Sequence, residues 1–267
     1  MRRRRVIMPE IPTVQLGGLA LHCLTEQGAI DQIVDGRGGW VVTPNVDILR
    51  QVSEDPEVAR LVASATLTLA DGMPLVWASR LMGSPLPERV PGSTLIYGLC
   101  CKAASRGRSI FLLGGAPGVA ERASIRLRNL NPGLCVAGCH CPPVGFAERP
   151  EEMSAIETAL LRAAPDIVVV ALGTPKQEQL IASLRPKMPD IWFIGAGATL
   201  SFVAGATPRA PVWVQRAGLE WLHRLSHEPR RLFRRYVMQD TPFAVRLLAG
   251  CALERARRAL NLSGAHV

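Results

Sequence analysis

Short apolar, β-branched segments alternate with segments of helical periodicity through most of this chain, and that alternation narrows the choice of fold more than any other feature. The apolar segments predict strands at residues 39–42, 66–69, 109–113, 166–171 and 191–194. Apolar residues at three- and four-residue spacing predict helices at residues 46–64, 74–82, 93–105, 119–130, 151–163 and 176–185. Strands that alternate with helices form right-handed βαβ crossovers. We therefore predict an α/β fold, a Rossmann-like and mostly parallel sheet of unspecified strand order with helices on both faces.

The alternation ends at about residue 208. Beyond it, residues 211–225, 229–238 and 242–260 predict helices, each with a proline near its first turn. We therefore divide the chain into an α/β domain, residues 1–207, and a C-terminal helical appendage, residues 208–267. A proline-rich stretch at residues 141–150 predicts a long loop.

Positive charge is concentrated in the appendage. The net charge is +9, and residues 208–267 contribute +7 of it from eleven arginines and four acidic side chains, while Arg2 to Arg5 add +4. Such a segment beside a nearly neutral domain indicates an anionic phospholipid, a diphosphate or a nucleic acid as partner. Two tyrosines and no recognised module make nucleic acid the weaker choice. We expect no nucleic acid, although a solvated helix face would also explain the arginines.

Cysteine usage bears on compartment and on metal binding. Seven cysteines, an odd number, occur without a secretory signal or an apolar run long enough to span a bilayer, so we expect reduced thiols in the cytoplasm. The cluster Cys135, Cys139, His140 and Cys141 lacks the paired spacing of a zinc site and is interpreted as part of a strand. Neither D-x-D nor H-E-x-x-H occurs. The sequence therefore predicts no metal and no cofactor.

Polar residues follow the predicted strands, at the sheet edge where ligands bind in such folds. Thr43 and Asn45 follow the first strand, and Asn45 is equally suited to cap the next helix. Asp71 follows the second, where its carboxylate could accept a proton from a substrate hydroxyl or cap a helix. Arg89 lies in a polar loop, where it could meet an anion or pair with Glu88 on the surface.

Three glycine turns also follow strands and precede helices. Gly114-Gly115, Gly173 and Gly197 would let backbone N–H groups approach a phosphate. Lys176 and Gln177 open the helix after the second of these turns. Because neither G-x-G-x-x-G nor a Walker loop is present, the turns favour a nucleotide ligand over a dinucleotide.

These motifs, in this order, resemble those of the WecG/TagA/CpsF family of bacterial glycosyltransferases, glycosyltransferase family 26. The resemblance spans most of the chain. It rests on Thr43-Pro44-Asn45, Ala70-Asp71-Gly72, Pro87-Glu88-Arg89-Val90, Phe111-Leu112-Leu113-Gly114-Gly115, Gly173-Thr174-Pro175-Lys176-Gln177-Glu178, Gly195-Ala196-Gly197-Ala198, Arg209-Ala210-Pro211, Gly218-Leu219-Glu220-Trp221, Glu228-Pro229 and Arg234-Arg235-Tyr236.

The resemblance implies an enzyme that moves a sugar from a UDP-sugar donor to a polyprenyl-diphosphate-linked sugar, inverting the anomeric centre without a metal. The product would enter an exopolysaccharide, a teichoic acid or another bacterial cell-surface polymer. Donor identity stays open between sugars such as N-acetylmannosamine and glucose, because Ser201 stands where many relatives carry an acidic residue. A peripheral position on the inner face of the cell membrane follows from the lipid acceptor.

Residue roles are implied in the same way. Asp71 would be the catalytic base, Thr43 and Asn45 would lie beside the reacting sugars, and Arg89 and Gln177 would be further contacts. The glycine turns and Lys176 would bind the nucleotide. The acceptor diphosphate or the anionic membrane surface would be met by Arg224, Arg231, Arg234 and Arg235.

Two other interpretations stay open at this point. One is a non-catalytic protein that binds a nucleotide-sugar or a nucleic acid through its basic appendage. The other is an enzyme that transfers to a soluble acceptor. The sequence also leaves homo-oligomerisation open.

Overall fold

A computed structural model describes residues 11–264, with side chains through residue 258. Arg2 to Arg5 lie outside the described residues. Six strands form one sheet in the order β4-β3-β8-β7-β5-β6, and all five pairings are parallel. A separate antiparallel hairpin, β1-β2, precedes the sheet. The strands are β1 (Thr13–Leu16), β2 (Leu19–His22), β3 (Gly39–Val42), β4 (Leu67–Thr68), β5 (Ser109–Gly114), β6 (Cys135–His140), β7 (Ile167–Ala171) and β8 (Trp192–Gly195).

Helices cover both faces of this sheet, so the predicted α/β architecture is confirmed. Successive residues of a strand enter opposite cores: Phe111 and Leu113 face one core, whereas Ile110 and Leu112 face the other. The helices of the α/β domain are α1 (Glu26–Asp35), α2 (Val46–Glu54), α3 (Pro56–Ala63), α4 (Met73–Leu81), α5 (Gly92–Ser105), α6 (Val119–Leu130), α7 (Pro150–Ala163), α8 (Lys176–Leu184) and α9 (Thr199–Val203). The first core includes α2, α3, α4, α7 and α8, and the second includes α1, α5, α6 and α9.

The helix predicted at residues 46–64 is in fact two helices. Pro56 lacks the N–H that would continue α2, and the Asp55 side chain accepts a hydrogen bond of 2.8 Å from the N–H of Glu57 to start α3. Four further strands and helices had no sequence prediction, namely β1, β2, α1 and α9. The cysteine-rich stretch forms β6, as expected for a strand. Within residues 11–264, no group of three or more His, Cys, Asp or Glu side chains is placed to hold a metal ion.

The appendage is helical, as predicted, and it packs on the first core. Its elements are α10 (Val212–Arg216), α11 (Glu220–His227), α12 (Pro229–Phe233), a π-helical segment (Arg234–Asp240) and α13 (Thr241–Gly264). Leu247, Leu248 and Cys251 of α13 pack against the apolar cluster that contains α4. The boundary near residue 208 stays a prediction. Of the helices described, α13 included, none is both long and apolar enough to cross a bilayer.

Gly218 interrupts the helix predicted at residues 211–225. Its φ of +74° favours glycine, and a Cβ at this position would lie 2.9 Å from Met73 Cβ. The interruption separates α10 from α11 and packs the turn between them against Met73, the first residue of α4. The position of Glu220, two residues later, depends on this turn.

We expect Gly218→Ala to lower the free energy of unfolding by about 1–2 kcal/mol from backbone strain, with an added cost from the contact with Met73. Urea unfolding measures the change. Gly107→Ala is the matched control, because Gly107 also has a positive φ, +61°, but nothing lies within 4 Å of its Cβ position. Equal losses in the two variants would show that the packing of Gly218 on Met73 contributes nothing.

Candidate active site

A cleft of about 480 Å³ lies at the carboxyl ends of β3, β4, β7 and β8 and is walled on one side by the appendage. Parallel strands end at the same sheet edge, so the residues after them meet there even though they are far apart in sequence. The cleft brings together most of the predicted site residues: Thr43, Asn45, Asp71, Arg89, Gly173, Gln177, Gly197, Arg224, Arg231 and Arg235.

Four predicted site residues lie outside the lining of this cleft. Gly114 is the last residue of β5, which lies beyond β7, and Gly115 follows it. A Cβ on Gly114 would come within 2.4 Å of the Ala171 carbonyl oxygen. Close packing of two strand ends is therefore sufficient reason for glycine at position 114. Lys176 and Arg234 are exposed side chains that the cleft does not include.

Asp71 presents a carboxylate at the base of the cleft. Its backbone N–H donates to the Pro44 carbonyl at 2.8 Å, which holds the chain after β4 beside the chain after β3. The N-cap of α4 is Gly72, with no side-chain cap, so Asp71 is not the helix cap that the sequence also allowed. Within the described part of the chain, no side chain forms a hydrogen bond or ion pair with this carboxylate.

Burial dominates the titration of Asp71. It raises the pKa of the carboxyl to about 6, and the nearby Glu220 carboxylate acts in the same direction. The positive charges of Arg89, Arg224 and Arg209 oppose the rise. The carboxylate is therefore ionised at neutral pH but holds a proton far more readily than an exposed aspartate, a pKa suited to general base catalysis.

Thr43 and Asn45 line the cleft next to Asp71. Thr43 is buried directly after β3. Asn45 is the N-cap of α2, and its Oδ1 accepts a hydrogen bond of 3.1 Å from the N–H of Ile48. The capping role is thus present, and the same side chain also faces the cleft.

Gln177 ties two glycine turns together. Its Oε1 accepts hydrogen bonds from the N–H groups of Gly197, at 3.0 Å, and Gly173, at 3.3 Å. Its Nε2 donates to Oε1 of the fully buried Glu178 at 2.8 Å. Burial raises the pKa of Glu178. Gln177 therefore joins the turns that follow β7 and β8, and most of its hydrogen-bonding capacity is used within the protein.

Glu220 enters the cleft from the appendage and was assigned no role from the sequence. It forms ion pairs with Arg89, at 3.1 Å, and with Arg209, at 3.8 Å. One sequence feature could have drawn attention to Glu220: it is an acidic residue in a strongly basic segment. Its pairing with Arg89, 131 positions away, has no local sequence signature.

Arg235 belongs to a largely buried ionic cluster that joins the appendage to α2. Its guanidinium lies 3.3 Å from the Asp47 carboxylate and 3.9 Å from that of Asp240, and Arg50 pairs with both acids. Burial and the neighbouring Asp47 raise the pKa of Asp240 to about 6. The sequence placed Arg235 on the acceptor diphosphate or the membrane, whereas the structure pairs it with protein carboxylates.

The other cleft arginines differ in their partners. Arg231 pairs with Glu228 at 2.5 Å. Arg224 lies over the Phe202 ring, 5.6 Å from its centroid, and its Nε is buried without a hydrogen-bond partner in the part of the chain described. Among the described residues, Arg224 is thus a cation in the cleft whose Nε–H is free to donate a hydrogen bond to a ligand.

Comparison with known proteins identifies the family of this chain. The model of the glycosyl transferase WecG/TagA/CpsF family matches residues 14–258. The chain belongs to this family. One relative, the N-acetylglucosaminyldiphosphoundecaprenol N-acetyl-beta-D-mannosaminyltransferase of Bacillus spizizenii, is 31% identical over 195 residues, which is 73% of this chain and 74% of that protein. This WecG/TagA/CpsF protein is therefore a glycosyltransferase, and the non-catalytic alternative is not supported.

The buried charge of Asp71 has a measurable cost in stability. Because the folded state raises the pKa above the ordinary value of 3.8, ionising Asp71 destabilises the fold as the pH rises through about 6. We expect Asp71→Asn to raise the melting temperature by about 2 °C or more near neutral pH, with the gain shrinking as the pH falls below about 6 and absent below the ordinary aspartate pKa. Asp190→Asn, at an exposed surface pair with Arg37, is the control and should change little. A destabilised Asp71→Asn protein would contradict this account of the carboxylate.

Proposed function

We propose that this glycosyltransferase moves a hexose or N-acetylhexosamine from a UDP-sugar to a polyprenyl-diphosphate-linked sugar, with inversion and without a metal ion. The observation that carries the proposal is the unpartnered Asp71 carboxylate at the base of an arginine-walled cleft. The name of the Bacillus spizizenii relative supports N-acetylmannosamine as the donor sugar and N-acetylglucosaminyl-diphosphoundecaprenol as the acceptor. Its product would enter a cell-wall or other cell-surface polysaccharide.

One displacement accounts for the transfer. Asp71 takes the proton of the acceptor hydroxyl as the hydroxyl oxygen attacks the anomeric carbon, and the bond from that carbon to the UDP oxygen breaks. The electron pair of the broken bond leaves with UDP. An α-linked nucleotide-sugar would give a β-linked product by this route, in accord with the β linkage in the relative's name. A single carboxylate suffices because no covalent sugar–enzyme intermediate is needed.

Charge stabilisation of the diphosphates is assigned to arginine. Arg224 has an unpartnered Nε in the cleft, and Arg231 lines the same cavity. Guanidinium groups donate paired hydrogen bonds to phosphate oxygens and would offset the charge that develops on departing UDP. Full turnover in excess EDTA would support metal independence, and loss of turnover that magnesium restores would contradict it.

Apolar side chains exposed on the appendage would together form a surface that suits a lipid acceptor. The indole of Trp213 is 70% exposed, Phe233 is 54% exposed and Met238 is 65% exposed. Exposed Arg216 and Arg230 belong to the same short helices. Aromatic and aliphatic groups that enter the interface beside arginines at the phosphate level are typical of a protein that lies on an anionic bilayer. We assign this surface to the inner face of the cell membrane.

Activity should depend on the ionised form of Asp71. We expect Asp71→Asn to lower kcat by roughly 10²-fold or more while the protein stays folded. In the unsubstituted enzyme, kcat should fall as the pH drops through about 6, the pKa of Asp71. The assay is transfer from UDP-N-acetylmannosamine to a synthetic polyprenyl-diphosphate-N-acetylglucosamine, followed by mass. Near-normal kcat in Asp71→Asn would remove Asp71 from the role of base, and Asp190→Asn should retain full activity.

Membrane binding should depend on the exposed apolar residues. We expect the double substitution of Trp213 and Phe233 by serine to weaken binding to phosphatidylglycerol vesicles by about tenfold or more, because buried apolar area drives interfacial binding. Sedimentation with vesicles measures it. Leu161→Ser, at a 58% exposed position on α7, is the control. Unchanged binding by the double variant would contradict this surface.

A further inference from the structure

Glu220 is the acidic member of a three-residue contact in the cleft. Its Oε2 lies 3.1 Å from Arg89 Nη1, and its Oε1 lies 3.8 Å from Arg209 Nε. The three side chains are largely buried, with exposed fractions of 17%, 15% and 20% for Glu220, Arg89 and Arg209. Ion pairs that are largely shielded from water are stronger than pairs on the surface. This contact therefore restrains the orientation of the Arg89 side chain.

The contact is anchored to the α/β domain. Arg209 donates through Nη1 to the Ser93 carbonyl at 2.9 Å and through Nη2 to Thr94 Oγ1 at 2.7 Å. Both partners belong to the first turn of α5. Arg209 is therefore fixed to α5. Glu220 Oε1 lies within ion-pair distance of Arg209 Nε, with no hydrogen bond between them, and Glu220 Oε2 accepts the hydrogen bond from Arg89 Nη1.

Arg89 is near Asp71 but does not pair with it. Of the charged groups that act on Asp71, Arg89 exerts the strongest attraction, yet the hydrogen bond that it donates to a carboxylate goes to Glu220. The pKa of Asp71 is also affected by the charges of Arg209, before α10, and of Glu220 and Arg224, both on α11. Asp71 and Arg89 line the same cleft, and within residues 11–264 the Asp71 carboxylate has no hydrogen-bond donor.

A carboxylate bound by a guanidinium is a poor base, because its lone pairs are engaged and its charge is stabilised. We propose that Glu220 is a positioning residue that holds the Arg89 guanidinium away from the Asp71 carboxylate, so that Asp71 stays free to accept a proton. The benefit to catalysis, a more basic Asp71 during sugar transfer, rests on the proposed function. The restraint of Arg89 by Glu220 does not depend on that function. The appendage thus supplies a group that keeps the base of the α/β domain active.

The arrangement can be tested without substrate. Carboxyl ¹³C NMR titration of ligand-free protein reports the pKa of Asp71, and the signal is assigned by its loss in Asp71→Asn. In Glu220→Gln we expect the pKa of Asp71 to fall by about one unit. The Arg89 guanidinium would leave the neutral amide at position 220 and pair with the Asp71 carboxylate instead. An unchanged or higher pKa would overturn the proposal. Glu254→Gln, at the exposed pair with Arg258 on α13, is the matched control.

A double-mutant cycle separates positioning from direct repulsion between two carboxylates. If Glu220 acts by holding Arg89, the effect of Glu220→Gln on the pKa of Asp71 should shrink to less than half in an Arg89→Gln background. An equal effect in both backgrounds would overturn the positioning role. Glu220→Asp keeps the charge but draws the carboxylate back by one CH₂, so it should also lower the pKa. It serves as the second variant should Glu220→Gln fail to fold.

Kinetics give an independent readout. In Glu220→Gln the acid limb of the kcat profile should move to lower pH, and kcat at neutral pH should fall by about tenfold with a smaller change in KM. A change confined to KM would contradict the role. Absence of transfer by the unsubstituted enzyme with every donor tried would defeat the proposed function, while the NMR titration would still decide whether Glu220 restrains Arg89.

Discussion

The burial of both faces of the parallel sheet is the constraint on which the rest of this structure depends. Trp40 and Val42 of β3 face one core while Val41 between them faces the other, so the strands offer no exposed face for a ligand. Polar function is thereby restricted to the ends of the strands. Thr43 and Asp71 follow two strands that pair directly, and the hydrogen bond from Asp71 N–H to the Pro44 carbonyl closes the gap between them.

The α/β domain forms only part of the cleft. The sheet edge contributes Thr43, Asn45 and Asp71, while Glu220 and Arg224 come from α11. The appendage is held by two different interactions, apolar packing of α13 on the first core and the ionic cluster of Arg235 with Asp47 and Asp240. Most of the cations in the cleft thus come from the segment that also carries the exposed tryptophan and phenylalanine.

The sequence predicts the α/β fold and the meeting of polar residues at one sheet edge, because both follow from local patterns. Alternating strands and helices specify a parallel sheet, and the residues that follow its strands converge, which is why Thr43 and Asp71 could be expected in one cleft. Strand order depends on pairing between distant segments and could not be predicted. Gly114 lies outside the cleft lining, and sequence alone does not distinguish a glycine required for packing against the Ala171 carbonyl from one that cradles a phosphate. Glu220 was missed because its pairing with Arg89 depends on how the appendage packs on the α/β domain.

The ionic cluster at Arg235 has a mechanical consequence. Asp47 lies in the first turn of α2, the helix capped by Asn45, and Asn45 also faces the reaction cavity. A shift of the π-helical segment would therefore be transmitted through two salt links to a helix start only two positions from that cap. If the appendage rests on the bilayer as proposed above, these ion pairs would couple the depth of that contact to the position of Asn45 in the cleft.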